Sequence, residues 1–194
     1  MALSFPYIWG SGGSGYVSDG LIMEDVNQLG DLQKTGNIYP LTTLNNFSVE
    51  ICYSATAVHG TSNVGILLKF LGETIVLNGN ELTTGSEYGI QAYYGTEYGA
   101  TALIPIPNLV FGTDKHTVAA VQSGTRTNIY FDGELVGGFD NANGRTTITG
   151  QEITICRDTS YPVTGTWYDM RAYSRALTAD EVAANYAEDM RRYG

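Results

Sequence analysis

Gly165-Thr-Trp-Tyr-Asp-Met-Arg-Ala-Tyr-Ser-Arg-Ala-Leu-Thr-Ala-Asp-Glu-Val-Ala-Ala-Asn-Tyr186 couples a strand, a tight turn and a capped helix in a fixed order. From Trp167 to Tyr173 a period of two puts Trp167, Asp169, Arg171 and Tyr173 on one face and Tyr168, Met170 and Ala172 on the other. That pattern predicts a strand. Thr178 stands three residues before Glu181, which is the spacing of a capping box. Leu177 and Val182 hold the two positions of a hydrophobic staple, so a helix is expected to start here. Val182, Tyr186 and Met190 form its apolar stripe, suited to a sheet edge or end, and Arg191 and Arg192 near its end complement the helix dipole.

Working back from this end, Ile129-Tyr-Phe-Asp-Gly-Glu-Leu-Val136 is a hairpin centred on Asp132-Gly133, and His116-Thr-Val-Ala-Ala-Val121 is the strand before it. Phe47-Ser-Val-Glu-Ile-Cys-Tyr53 alternates in the same way. Further strands are expected near 64–71, 74–77, 88–94, 101–104, 146–149 and 152–156, with a reversal at Asn78-Gly79. The stretch from Leu21 to Leu44 reads as irregular, broken at Asp31, Gly36, Asn37 and Pro40.

These segments resemble laminin G-like domains, a branch of the concanavalin A-like lectin and glucanase group found in bacterial and phage proteins. The most specific parts are the Tyr-Phe-Asp-Gly-Glu-Leu hairpin and the Arg-Ala-Tyr-Ser-Arg-Ala-Leu turn, and the resemblance runs from Asp19-Gly20-Leu21 to the C-terminus. It implies an all-β fold, a two-sheet antiparallel jelly-roll sandwich with a short C-terminal helix. The expected domain is 19–194, preceded at 1–18 by an apolar N-terminal arm and a Gly/Ser linker. Fold alone does not assign function.

Composition agrees with one β-rich domain. Among 194 residues there are 24 Gly and 14 Tyr, and charged residues make only 15%. Twenty acids against ten bases leave a formal charge of −10, which opposes nucleic acid and anionic lipid as partners. Cys52 and Cys156 lack metal or framework spacing, so both are expected as thiols, with pairing open if their strands are adjacent. Met1–Trp9 has no basic segment and no long apolar run, which predicts synthesis in the cytoplasm without a signal peptide or membrane insertion.

Glucanases of this group carry acids clustered along one strand so that acid and nucleophile face the sugar together. No Glu-x-Asp-x-Glu cluster occurs here, and the expectation is a non-catalytic chain. A glycan platform needs aromatic faces beside hydroxyl acceptors. Tyr88, Tyr93, Tyr94 and Tyr98, interleaved with Glu87, Gln91 and Glu97, supply that combination within a small Glu-Tyr-Gly repeat, whose other reading is strand packing. No resident cofactor is expected. Calcium, which the resemblance brings into view, has as candidate ligands Asp140, Asn141 and Asn143 in one loop and Asp169 on the last strand. The other readings are turn chemistry for the loop and pairing with Arg171 for Asp169. His116 is expected to close its hairpin by a hydrogen bond.

Phe5, Tyr7, Ile8 and Trp9 precede Gly10-Ser-Gly-Gly-Ser-Gly15, which reads either as a first strand and turn or as an arm docking on another subunit. The leading expectation is a non-catalytic binding or structural module on a phage virion surface, as a decoration, head-fibre or tail-adhesion protein. The arm would attach it to virion proteins, a homo-oligomer such as a trimer is plausible, and the lectin-like domain would meet cell-surface glycans. The alternatives are an extracellular carbohydrate-binding domain of a secreted bacterial protein and a glycoside hydrolase.

Overall fold

The computed structural model describes residues 15–26, 34–36, 46–58, 64–70, 73–78, 89–94, 101–105, 112–140, 153–155 and 163–194. Twelve strands and one helix lie in them: β1 Leu21–Val26, β2 Lys34–Gly36, β3 Asn46–Val58, β4 Val64–Phe70, β5 Glu73–Asn78, β6 Gly89–Tyr94, β7 Thr101–Pro105, β8 His116–Ser123, β9 Arg126–Phe131, β10 Glu134–Asp140, β11 Ile153–Ile155, β12 Val163–Tyr173 and α1 Ala179–Tyr193. They form two six-stranded sheets, ordered β1-β12-β3-β8-β9-β10 and β2-β11-β4-β5-β6-β7. Every strand pairing is antiparallel. This is the expected sandwich with its closing helix.

Alternation along β3 sorts the first sheet into two faces. Phe47, Val49, Ile51 and Tyr53 are buried on the side that the second sheet covers, together with Val118, Ala120, Ile129 and Met170. Ser48, Glu50 and Cys52 point the other way and are equally buried, because α1 lies across that face. The helix therefore packs over the face of the sheet rather than at its edge or end. Val182 and Leu177 join Ala119, Val121, Tyr130 and Tyr173 in an apolar cluster under its first turns.

The predicted capping box is present. Thr178 Oγ1 accepts from the Glu181 backbone N–H, and the Glu181 carboxylate accepts from the Thr178 N–H at 2.8 Å. Arg175 clamps the same carboxylate through two bonds of 2.8 and 2.6 Å and reaches Asp19 at 2.9 Å, tying the helix start to the entry of β1. Ser48 Oγ accepts from Leu177 N and donates to Arg175 O, which fixes the turn against β3.

The Asp132-Gly133 turn is a two-residue hairpin with φ of 50° and 81°, joining Phe131 to Glu134. Glycine is required at its second position for two reasons. The backbone is left-handed there, and a Cβ would lie 3.1 Å from the Tyr186 ring. His116 Nδ1 bonds Asp132 Oδ2 at 2.8 Å, and Asp132 Oδ1 accepts from Thr117 N at 2.9 Å, closing the hairpin onto β8.

The structure departs from the sequence reading in four further places. A bulge in β12 shifts register so that Trp167 pairs with Tyr53 and Asp169 with Cys52. Tyr168 is the extra residue, and Trp167 lies on the face opposite Asp169 rather than beside it. Asn78 pairs with Gly89, so Asn78-Gly79 is no two-residue hairpin; the short connection is at 71–72, where Phe70 pairs with Glu73. The stretch read as irregular contains β1 and β2. Finally, Tyr16 and Val17, placed in the arm by sequence, pack into the domain, Tyr16 with 5% exposure. The strand expected at 146–149 lies outside the described residues.

Candidate functional site

The sequence-predicted site residues are only partly visible. Phe5, Tyr7, Ile8, Trp9, Glu87, Tyr88, Glu97, Tyr98, Asn141 and Asn143 lie outside the described residues. Gln91, Tyr93 and Tyr94 are on β6, an inner strand of the second sheet, where Tyr93 pairs with Thr74 and Thr101 and Tyr94 pairs with Glu73. Gln91 and Tyr93 occupy positions of one face and Tyr94 of the other, by the period of a strand.

The two described calcium candidates are not brought together. Asp140 ends β10 and pairs with Arg126 at 3.1 Å on the surface. Asp169 lies four strands across and, by register, six residues further along the sheet, on the order of 28 Å away. It is fully buried, and Arg171 stands 3.2 Å from its Oδ2. A guanidinium thus occupies the place a cation would need, which removes Asp169 from the metal candidates. Among the described residues no group of three or more His, Cys, Asp or Glu could hold a metal ion.

What the structure does assemble is a buried charge cluster between α1 and the first sheet. Register builds it: Glu24 of β1, Arg171 of β12, Glu50 of β3 and Ala119 of β8 form one row across four strands, and Asp169, Cys52 and Thr117 form the next. Arg171 is the centre. Its Nη1 and Nη2 donate to the two oxygens of Asp189 on α1 at 2.8 Å each, and its Nε donates to Glu50 Oε2 at 3.2 Å. This bidentate geometry is what a planar guanidinium offers and an ammonium does not.

The helix delivers its polar partners by a spacing of four. Asn185 donates to Glu50 Oε2 at 2.7 Å and to the Tyr173 hydroxyl at 2.9 Å, and Asp189 one turn later accepts from Thr117 Oγ1 at 2.8 Å. Tyr16 completes the enclosure. Its hydroxyl donates to Asp189 at 2.7 Å, and its ring lies between Arg171, 4.0 Å from the centroid, and Arg192, at 4.2 Å.

Three carboxylates and one guanidinium, all with 0% exposed side chains or residues, cannot all be charged cheaply. Asp189 has four donors on its two oxygens. Glu50 Oε1 and Asp169 Oδ1 have none. Burial drives the Asp169 carboxyl up to about 7, against the lowering pull of Arg171, and drives Glu50 up for the same reason. Burial also lifts the Cys52 thiol to about 12, leaving it an inert free thiol. Cys156 lies outside the described residues.

These directions fix a pH profile. A carboxyl raised from 3.8 to about 7 contributes stability that is complete below the lower value and is lost as pH rises through the upper one. Its upper bound is about 4 kcal/mol. Glu181 and Glu188 act oppositely. Hydrogen bonds from Arg175 and Arg191 hold each at about 2, so their contribution exists above 4.5 and disappears as pH falls toward 2. Thermal unfolding is therefore expected to show maximal stability near pH 4 to 5, a decline toward pH 8, and a decline below pH 4. The decline toward pH 8 should be shallower in Asp169→Asn, where the raised Glu50 alone sustains it, and an equal slope in that variant would contradict the assignment.

Chemically, the cluster cannot serve a sugar. Acid catalysis needs a substrate within hydrogen-bond reach, and every approach to Glu50 and Asp169 is closed by α1, Tyr16 and the neighbouring strands. Sequence reasoning missed Glu50, Asn185, Asp189 and Tyr16 as one group. The available signal was the polar parity of Ser48, Glu50 and Cys52, matched by Asp169 and Arg171, with Asn185 and Asp189 four apart on the buried helix stripe.

Comparison with known proteins agrees with this architecture. A family model described as Concanavalin A-like lectin/glucanases superfamily matches residues 30–183. No curated protein matches the chain by sequence. Among solved structures, the chain is similar to the heptameric SAP-like pentraxin of Limulus polyphemus, with 14% identity, a TM-score of 0.60, and 82% of this chain and 79% of that one covered. It is also similar to the CBM40 of Ruminococcus gnavus IT-sialidase bound to α2,3 sialyllactose, with 17% identity, a TM-score of 0.55, and coverage of 86% and 100%. A third likeness is domain 4 of AbnA, an extracellular arabinanase of Geobacillus stearothermophilus, in complex with arabinotriose, with 14% identity, a TM-score of 0.54, and coverage of 78% and 71%. At these identities the likeness establishes the fold.

Proposed function

The chain belongs to the concanavalin A-like lectin/glucanases superfamily, in its laminin G-like branch, and from that premise we propose that it is a non-catalytic module that binds glycans. The observation that carries the reading is the shared sandwich: two of the similar structures are modules solved with oligosaccharides bound. The sealed state of the one carboxylate cluster among the described residues supports the absence of catalysis. The recognition surface in this reading is the segment from Tyr88 to Tyr98, with Glu87, Gln91 and Glu97 as hydroxyl acceptors.

A second reading concerns where the module works. The apolar residues Phe5, Tyr7, Ile8 and Trp9 ahead of a Gly/Ser run favour an arm that docks on a larger assembly, such as a phage virion surface. Display of many copies would multiply weak single-site affinity. The alternative is an extracellular domain of a secreted protein.

Incubating the full chain with an immobilised glycan panel tests the proposal. Retention is expected with a dissociation constant on the order of micromolar to millimolar, since stacking and a few solvated hydrogen bonds leave little after ordering costs. No reducing ends should be released. Because Tyr93 and Tyr94 take opposite faces, alanine at one should abolish retention and alanine at the other should lower stability instead. Turnover that disappears on changing a single Asp or Glu would replace this reading with a hydrolase, and the absence of retention on every glycan would end it.

A further inference from the structure

In the segment Gly15–Gly20 the first three residues are fastened to α1 and the last to the turn before it. Gly15 N donates to Glu188 at 3.3 Å, Tyr16 Oη to Asp189 at 2.7 Å and Val17 N to Asn185 Oδ1 at 2.9 Å, while Ser174 N donates to Gly20 O at 2.8 Å. Two of these three helix partners, Asn185 and Asp189, are the same side chains that hold Glu50 and Arg171. The strap and the buried cluster thus share their anchors, and a change of charge in the cluster acts on both.

We propose that Gly15–Gly20 and the C-terminal half of α1 form a proton-controlled clasp over Arg171, closed while Glu50 and Asp169 keep at least one proton between them and loosened when both are ionised. Geometry supplies the count. Arg171 is the one cation inside the cluster and Asp189 already takes its two-pronged bond, so a second and third carboxylate face it through one ion-pair contact each at 3.2 Å and carry one orphaned oxygen each. Ionising both puts surplus negative charge against Asp189, which the strap's Tyr16 holds.

The groups that face this site come from every surrounding element. β1 gives Glu24, which pairs with Arg192 at 3.5 Å. β3 gives Glu50 and Cys52, β12 gives Asp169, Arg171 and Tyr173, and the strap gives Tyr16. The helix gives Glu188, Asp189, Arg192 and Tyr193, the last donating to Asp169 Oδ2 at 3.4 Å. Burial keeps the three tyrosines and Cys52 protonated well above neutrality. Glu188 stays ionised under its arginines. Burial raises the two remaining carboxyls beside Arg171, Glu50 and Asp169, the latter to about 7.

Cys52 reports the state of the clasp, since it is fully buried on the same face, opposite Asp169 and Thr117 in register. The test is the rate at which iodoacetamide alkylates Cys52 in the native full chain, followed by peptide mass and divided by the rate for N-acetylcysteine at the same pH. A carboxyl moving from about 7 when closed to 3.8 when open predicts a rise of about tenfold in this corrected rate between pH 6 and pH 8.5. The rate should hardly change with urea below about 1 M, because a local opening exposes little surface. Asp169→Asn should flatten the pH dependence. A corrected rate independent of pH in the wild type, or one that climbs steeply with urea, would overturn the clasp. Should Asp169→Asn fail to fold, carbon-13 titration of the wild-type carboxyl groups decides. At least one with a midpoint above pH 6 sustains the proposal, and none above pH 6 removes it.

Discussion

An Arg171→Ala chain is expected to lose most of its stability at pH 7.5. Removing the guanidinium leaves Glu50, Asp169 and Asp189 buried together without their cation. Breaking a buried ion pair by deleting one partner costs about 3 to 5 kcal/mol. For a domain of this size that lowers the melting temperature by on the order of 10 °C. The loss should be partly recovered near pH 5, below the value of about 7 to which burial raises Asp169, because a protonated carboxyl reduces the unpaired charge. Thermal unfolding at both pH values checks this. A melting temperature within about 2 °C of wild type at pH 7.5 would mean that Arg171 is dispensable.

A chain ending at Ser174 is expected not to fold. It lacks Leu177 and Val182, both nearly fully buried, each worth about 1.5 to 3 kcal/mol of apolar burial. It also lacks Asn185 and Asp189, so that Glu50, Arg171, Tyr173 and Thr117 lose their helix partners at once. Far-ultraviolet circular dichroism and a melting curve measure the outcome. Cooperative melting at an unchanged temperature would show that α1 is an appendage rather than the third layer over the first sheet.

The legibility of the chain divided along physical lines. β3 could be placed from periodicity because its apolar residues Phe47, Val49, Ile51 and Tyr53 share one face, against the other sheet. The capping box at Thr178 and Glu181 was equally plain, since it is a local bond pattern written in four residues. The bulge at Tyr168 was not, because an inserted residue leaves no compositional mark and reverses the parity of everything beyond it. The charge cluster also escaped notice. Its members come from residues 16, 50, 169, 171, 185 and 189, and only strand order brings them together. Reading Asp169 as a metal candidate followed from treating it alone. Pairing with Arg171, two residues on, was its other reading and is the contact found, whereas the burial that α1 imposes on both is what sequence separation hides.

The same logic explains why the glycan segment was easier to name than to verify. Aromatics beside acceptors form a local motif, visible in Tyr88 to Tyr98, whereas a binding face depends on which positions share a side of β6. Titrating the nitrogen-15 labelled full chain with the best-retained oligosaccharide, and following its amide resonances, measures this directly. The account predicts graded shifts confined to residues between Glu87 and Tyr98 and their partners on β5 and β7, with Glu50, Arg171 and Asp189 unmoved. Shifts centred on the helix and the charge cluster, or none at saturating sugar, would contradict it.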